Sequence, residues 1–484
     1  MPDNEQLRQD VTADESESAG AALRRFAQWA AEVKLTDVPV PVVTRLKQSV
    51  RDGLGCAVFG SDLPWARIVA EALAEQSGGT GPATIWGSGT KVDVASAAVA
   101  NGTAVQSYEL DDMHSEASVH GSSTMLPATL ALAEHRGNVS GADLLTALAV
   151  GWEAAVRVNR CIGHILVNGW HPPTIMGTIA ATAAAGRLLG LSAGQMYHCL
   201  SLGLLQASGL TVVQFGGMAK RLYAGRAAQA GVQSALLAER GFTAPDNVIG
   251  EPVGGFLTSF APGRLYEVNA LTRGLGNDFA AGGICFKLYS CCGSAHPALD
   301  MLADIVVEHP EATVDTIEHI GIELTEHSYK HIGFRYVPDT AVTAQFSVEY
   351  CLAAFLLEGT VFVEQFRDEL LADQRILDIV SRTTTSCDPT LESKQDLRTK
   401  RAVRLRLTLR DGQVIQREGM FARGYADRPA SEGELRSKFD RLVKGNLTAA
   451  KNSELSDVAC HLESLPDVKQ LVSICSADAE VAAR

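Results

Sequence analysis

Between Tyr108 and His120 the chain packs four acids (Glu109, Asp111, Asp112, Glu116) and two histidines (His114, His120) into thirteen residues. Such crowding is costly unless the groups are exposed or employed, because burying an unpaired charge is strongly unfavourable. Imidazoles beside carboxylates change protonation near neutral pH, which is what general acid–base chemistry requires. A solvated polar turn is the plain alternative. A metal site is another, since Asp and His are common ligands, but the spacing matches no HExxH-type pattern.

Three more segments carry chemistry-bearing groups. His171 stands in Asn168-Gly-Trp-His-Pro-Pro173, on a loop stiffened by proline just ahead of an Ala-rich helix, where anions are welcome. Lys220, Arg221 and Arg226 follow Gly216 and Gly217, which allow close backbone approach, and this cluster reads as an anion pocket. The run Lys287 to His296 adds Lys287, Cys292 and His296. Cys292 and His296 at helical spacing could pair as thiol and base, although pocket lining without covalent catalysis is the expectation at a domain junction. Gly190-Leu-Ser-Ala-Gly194 matches a hydrolase elbow, but a helix precedes it, and Ser192 reads as a helix cap. No Walker loop occurs and no GxGxxG follows a strand, so nucleotide cofactors have no support.

These groups need elements to hold them. Apolar residues recur at helical spacing from Val43 to Val58, and the pattern continues in 128–135, 142–156, 178–189 and 226–239. After about Cys285 the character changes. Residues 316–324 read as a strand, and alternation over 403–410, an Asp411-Gly412 turn and Val414-Ile415 read as a hairpin. Residues 343–357 and 364–381 read as helices between them, and from Glu432 the pattern is helical again. The predicted fold is mainly α with an α+β lid. A disordered segment spans 1–20, a helical domain spans 21–284 and resumes at 425–484, and the α+β lid spans 285–424.

Composition bounds the partners. At 46% hydrophobic and 20% charged, the 484 residues can bury a large core. The net charge of −14 argues against nucleic acid and anionic membranes, so cations that hold an anionic substrate must be concentrated locally. The uncharged stretch between Arg187 and Lys220 is long enough for a membrane span, but polar residues and glycines interrupt it. Two buried helices and a loop are expected there. The acidic, apolar-poor start gives no secretory signal, and the ten scattered cysteines read as reduced cytoplasmic thiols.

Taken in order, the segments resemble the MmgE/PrpD family of lyases, whose members decarboxylate, dehydrate or epimerise small di- and tricarboxylates. The resemblance rests on Glu109-Leu-Asp-Asp-Met-His114, Asn168 to Pro173, Gly217 to Arg221 with Gly225 to Ala228, Gly254 to Phe256, and Lys287 to Cys292 through His296, and it covers residues 22 to 465. It implies a homodimer and cofactor-free, metal-free chemistry between the helical domain and the lid, with His120, His171 and Lys220 catalytic. In that reading His120 donates a proton, His171 orients the substrate and Asp112 fixes an imidazole tautomer. Glu109, Asp111, Asp112, Met113, His114, Arg221, Lys287, Cys292 and His296 are expected to line or support the substrate site. The leading reaction is decarboxylation of cis-aconitate to itaconate. The alternatives are a hydro-lyase of the 2-methylcitrate dehydratase type, an epimerase, or, outside the family, a metal-dependent hydrolase.

Overall fold

Small residues set how closely the helices of this chain pack. A Cβ on Gly225 would lie 2.2 Å from the Val99 carbonyl oxygen, and one on Gly102 would lie 2.7 Å from the Gly225 Cα. Glycine is therefore required at both positions, and the helices that carry them meet backbone to backbone.

The computed structural model describes residues 18–476 except 164, 166–167, 264–265 and 394–395. The expected lead-in falls outside these residues up to position 17. Ser18 is already an N-cap, accepting from the Ala21 amide, so α1 (Ala19–Glu32) begins inside the segment expected to be disordered. There follow α2 (Val40–Gly60), α3 (Pro64–Gln76), α4 (Val94–Val105), α5 (Gly121–Arg136), α6 (Gly141–Ile162), α7 (Pro172–Leu188), α8 (Ala193–Gln206), α9 (Ala219–Glu239) and the short α10 (Phe256–Phe260). Two minimal ribbons punctuate them: β1 (Ala83–Thr84) with β2 (Lys91–Val92), and β3 (Met113–His114) with β4 (Ile284–Cys285). Helices α4, α5, α6, α7 and α9 pack on one another.

The second part opens with α11 (His296–Glu308). It builds one four-stranded sheet in the order β6-β5-β7-β8 from β5 (Ile317–Leu324), β6 (Thr383–Cys387), β7 (Val403–Leu409) and β8 (Val414–Gly419). Only the β5–β6 pair is parallel. Between β5 and β6 lie α12 (Glu326–Ile332), α13 (Ala341–Gln345), α14 (Val348–Glu358), α15 (Asp368–Leu371) and α16 (Gln374–Ser381). The chain ends in α17 (Glu432–Val443), α18 (Ala449–Cys460) and α19 (Lys469–Cys475), with α17 and α18 packed on α2. Buried apolar residues form two main clusters. One joins α1–α10 to α17–α19, and the other lies between the sheet and α11–α16. The fold is thus mainly α with a small α+β part.

Several local expectations are refined. The β7–β8 hairpin turns at Gly412, whose φ of 90° only glycine adopts freely. Ser192 caps α8 in a reciprocal box with Gln195 and is no nucleophile elbow. The helix expected over 343–357 is broken, because Ser347 accepts from the Tyr350 amide and starts α14 anew. The helix expected over 364–381 is a 3-10 turn followed by α15 and α16. Helix α5 runs through Pro127, although proline offers no amide to the preceding turn. No helix among the described residues is long and apolar enough to cross a membrane. The loop after α8 exposes Leu210, Val212 and Phe215 and buries Val213 and Gln214.

Candidate active site

Three helices of the bundle begin at one cavity. His120 is the N-cap of α5, His171 is the N-cap of α7, and Lys220 is the second residue of α9. All three side chains line one cavity. Neither histidine spends its side chain on a capping bond. Helix N-termini carry partial positive charge, so their convergence favours an anion and disfavours a protonated imidazole.

The acidic segment is inside the protein and serves two sides. Glu109 holds a left-handed backbone (φ 55°), rare for a residue with a side chain, and its carboxylate is pinned by three cations. It accepts from Lys220 and Arg221 through Oε1 and from Lys287 through Oε2 at 3.1 Å. Burial alone would push its carboxyl up, but Lys220, Lys287 and Arg221 hold it well below the usual range. Asp111 Oδ2 lies 3.0 Å from His120 Nδ1, and its other oxygen lies 4.0 Å from Lys287 Nζ. Asp112 faces the opposite way. It accepts from Ser49 Oγ and, at 2.8 Å, from the Ser122 amide, and burial pushes it up to about 7. The partner that fixes an imidazole is therefore Asp111 and not Asp112.

The imidazoles differ in their surroundings. Burial lowers His120, the Asp111 carboxylate raises it, and the net shift is downward. His171 is held well below its ordinary value by burial and by the Lys220 charge. Its Nδ1 lies 2.6 Å from Thr174 Oγ1, and its Nε2 has no partner. Lys220 is itself lowered by burial, against Glu109, and stands 4.8 Å over the Phe346 ring. Burial lowers Lys287 too, but Glu109 and Asp111 leave it raised on balance.

Other expected site residues stand elsewhere. His114 gives Nε2 to the Ala280 carbonyl at 2.9 Å in the β3–β4 ribbon, and burial drives it down to about 4. His296 faces the Cys291 carbonyl at 3.3 Å and is pushed by burial to about 3. Neither is in the cavity wall, so His296 is not the base beside Cys292. Arg221 lies behind Glu109, bonding Gln345 Oε1 at 2.8 Å. Met113, Lys287 and Cys292 do line the cavity.

The wall also contains residues that the sequence reading missed: His327 and His331 of α12, Arg401, Ser118, Gln214 and Phe346. His331 Nδ1, not His296, lies 3.7 Å from Cys292 Sγ. An available signal was His327-x-x-x-His331 behind the cap Thr325, a spacing that puts both rings on one helical face. Arg401 donates to the Ser115 carbonyl at 2.7 Å, tying the α+β part to the acidic segment. Among the described residues no three His, Cys, Asp or Glu side chains converge as a metal-binding set.

Residues 24–269 match the MmgE/PrpD N-terminal domain and residues 289–463 match the MmgE/PrpD C-terminal domain. The chain belongs to the MmgE/PrpD family. It is 31% identical to a cis-aconitate decarboxylase of Aspergillus terreus, over 96% of this chain and 97% of that protein. It is 30% identical to a cis-aconitate decarboxylase-like protein of Aspergillus oryzae, over 97% of this chain and all of that protein. The Mus musculus cis-aconitate decarboxylase is 26% identical over 93% of this chain and 92% of that protein. Family membership accounts for the order of the four segments. The geometry says which of their side chains face the cavity.

Proposed function

We propose that this MmgE/PrpD lyase decarboxylates cis-aconitate to itaconate. The observation that carries the reading is the cavity wall, where the cations Lys220, Lys287 and Arg401 stand with His120 and His171, a set of groups that suits a polycarboxylate in charge. The similarity to cis-aconitate decarboxylases along nearly the whole chain supports the same substrate.

In this scheme the cations hold the carboxylates that stay, and Glu109 keeps the ammonium groups charged and aligned. Loss of CO2 from the methylene arm leaves an electron pair that moves into the allyl system and shifts the double bond. Proton delivery to the former vinylic carbon completes itaconate. His120 is the donor, since a bound polyanion raises its proton affinity and Asp111 steadies the imidazolium. His171, fixed through Thr174, orients the substrate. Pre-aligned cations in a closed site stabilise the developing charge without reorganisation. No cofactor enters this scheme, and activity that survives exhaustive chelation and dialysis is expected. A homodimer belongs to the same reading and is tested by sedimentation at twice the mass of one chain.

Proton NMR of cis-aconitate incubated with the protein in D2O tests the reaction. The expected product is itaconate with one deuterium on its saturated methylene. Hydration products instead, with turnover of 2-methylcitrate, would transfer the assignment to a hydro-lyase.

A further inference from the structure

Cys292 is the cavity group that this proton-transfer scheme leaves unused, and it is not a lone thiol. His331 Nδ1 lies 3.7 Å from its sulfur, and the pair joins the approach to α11 to helix α12 in the cavity wall. In the same wall His171 is fully buried, yet its Nε2 has no partner. Buried polar atoms are rarely left unpaired, so this atom marks a place for a ligand group. Lys220, Lys287 and Arg401 nearby make that ligand an anion.

We propose that Cys292 is a modification site for small carboxylates bearing an electrophilic carbon, namely α-halo acids and alkenes conjugated to a carboxylate. The cavity cations concentrate such anions beside a thiol that His331 ionises. Burial pushes the Cys292 thiol up, but the neighbouring His331 imidazole brings it down to about 7. Thiolate is the nucleophilic form, and much of it is present at neutral pH. Burial instead raises Cys161 to about 12, and raises Cys285 and Cys291 as well.

With an α-halo acid the sulfur lone pair forms the S–C bond as the carbon–halogen bond breaks and halide leaves. With a conjugated alkene the S–C bond forms at the β carbon and the π pair moves to the α carbon. The His331 imidazolium then gives its proton to that carbon. Neither step changes the net oxidation level. The alkene case rests on the proposed function, because the α-methylene acid formed there is itself an alkene of this class. The product would then cap its own pocket at high load.

Alkylation of the intact protein by iodoacetate and by iodoacetamide provides the test. The two share a reacting carbon and differ in charge. Rates at each cysteine are followed by peptide mass spectrometry at neutral pH, with the neutral thiol 2-mercaptoethanol as reference in the same solution. The iodoacetate-to-iodoacetamide rate ratio at Cys292 is expected to exceed that of the reference by on the order of tenfold. Exposed Cys387 confirms that reagent is active. The variant His331→Asn is expected to slow Cys292 with both reagents; because it can also disturb α12, the wild-type ratio decides. A ratio at Cys292 equal to the reference, or an unlabelled Cys292 when Cys387 is complete, overturns the proposal. Labelling needs no turnover, so failure of this proposal and failure to release CO2 from cis-aconitate are separate results.

Discussion

Asp111 and Asp112 are neighbours in the chain with opposite environments, and this pair gives the sharpest test at the scale of residues. Asp111→Asn removes the charge that steadies His120; it and His120→Ala are each expected to lower turnover by ~10²-fold or more, with an unchanged circular dichroism spectrum. Asp112→Asn is expected to keep activity, because its partners Ser49 and the Ser122 amide lie away from the cavity. It also changes the pH dependence of stability. Burial holds Asp112 at about 7, above its unfolded value, so its folded form binds a proton that the unfolded chain has already lost. The stabilising effect of that proton is complete below the unfolded pKa, declines as pH rises from there, and is gone above about 7. Chemical denaturation between pH 4 and 8 should show the Asn variant gaining stability relative to wild type as pH rises. The sequence displayed both acids but not their directions, because the left-handed turn at Glu109 breaks any regular alternation. His331 escaped the reading for another reason. It reaches Cys292 from a helix that only the tertiary fold brings there, and periodicity does not encode that contact.

At the scale of elements the site is the common origin of α5, α7 and α9, and packing fixes where each begins. A Cβ on Gly225 would meet the Val99 carbonyl oxygen at 2.2 Å, so Gly225→Ala must shift α9 and with it Lys220 and Arg221. A loss of about 1–3 kcal/mol in denaturant titration is expected, together with a raised KM. Ser192→Ala removes only a cap from α8. It should cost about 1 kcal/mol of stability and leave kcat untouched, whereas a hydrolase elbow would lose all activity. Helix identity was legible in α2 and α6, which keep an apolar stripe. Helices α5, α7 and α9 were read from Ala-rich runs between glycines, although they are buried on nearly every side. The β7–β8 hairpin was legible too. Boundaries were less so. Ser347 and Asp373 cap new helices inside runs that read as continuous, since a capping side chain competes with the helix it interrupts.

For the molecule as a whole, an acidic chain with a net charge of −14 gathers buried cations at one cavity. That contrast was foreseeable in sign but not in place. The bundle supplies His120, His171 and Lys220, and the α+β part supplies His327, His331 and Arg401. Arg401→Ala removes one cation and the tie to the Ser115 carbonyl, so it should raise the KM for a polycarboxylate more than it lowers kcat. The central claim is tested most directly by the initial rate of CO2 release from cis-aconitate by the purified wild-type protein, with itaconate quantified in the same samples. One CO2 and one itaconate are expected for each cis-aconitate consumed. No CO2 above the enzyme-free rate at high protein concentration would contradict the account.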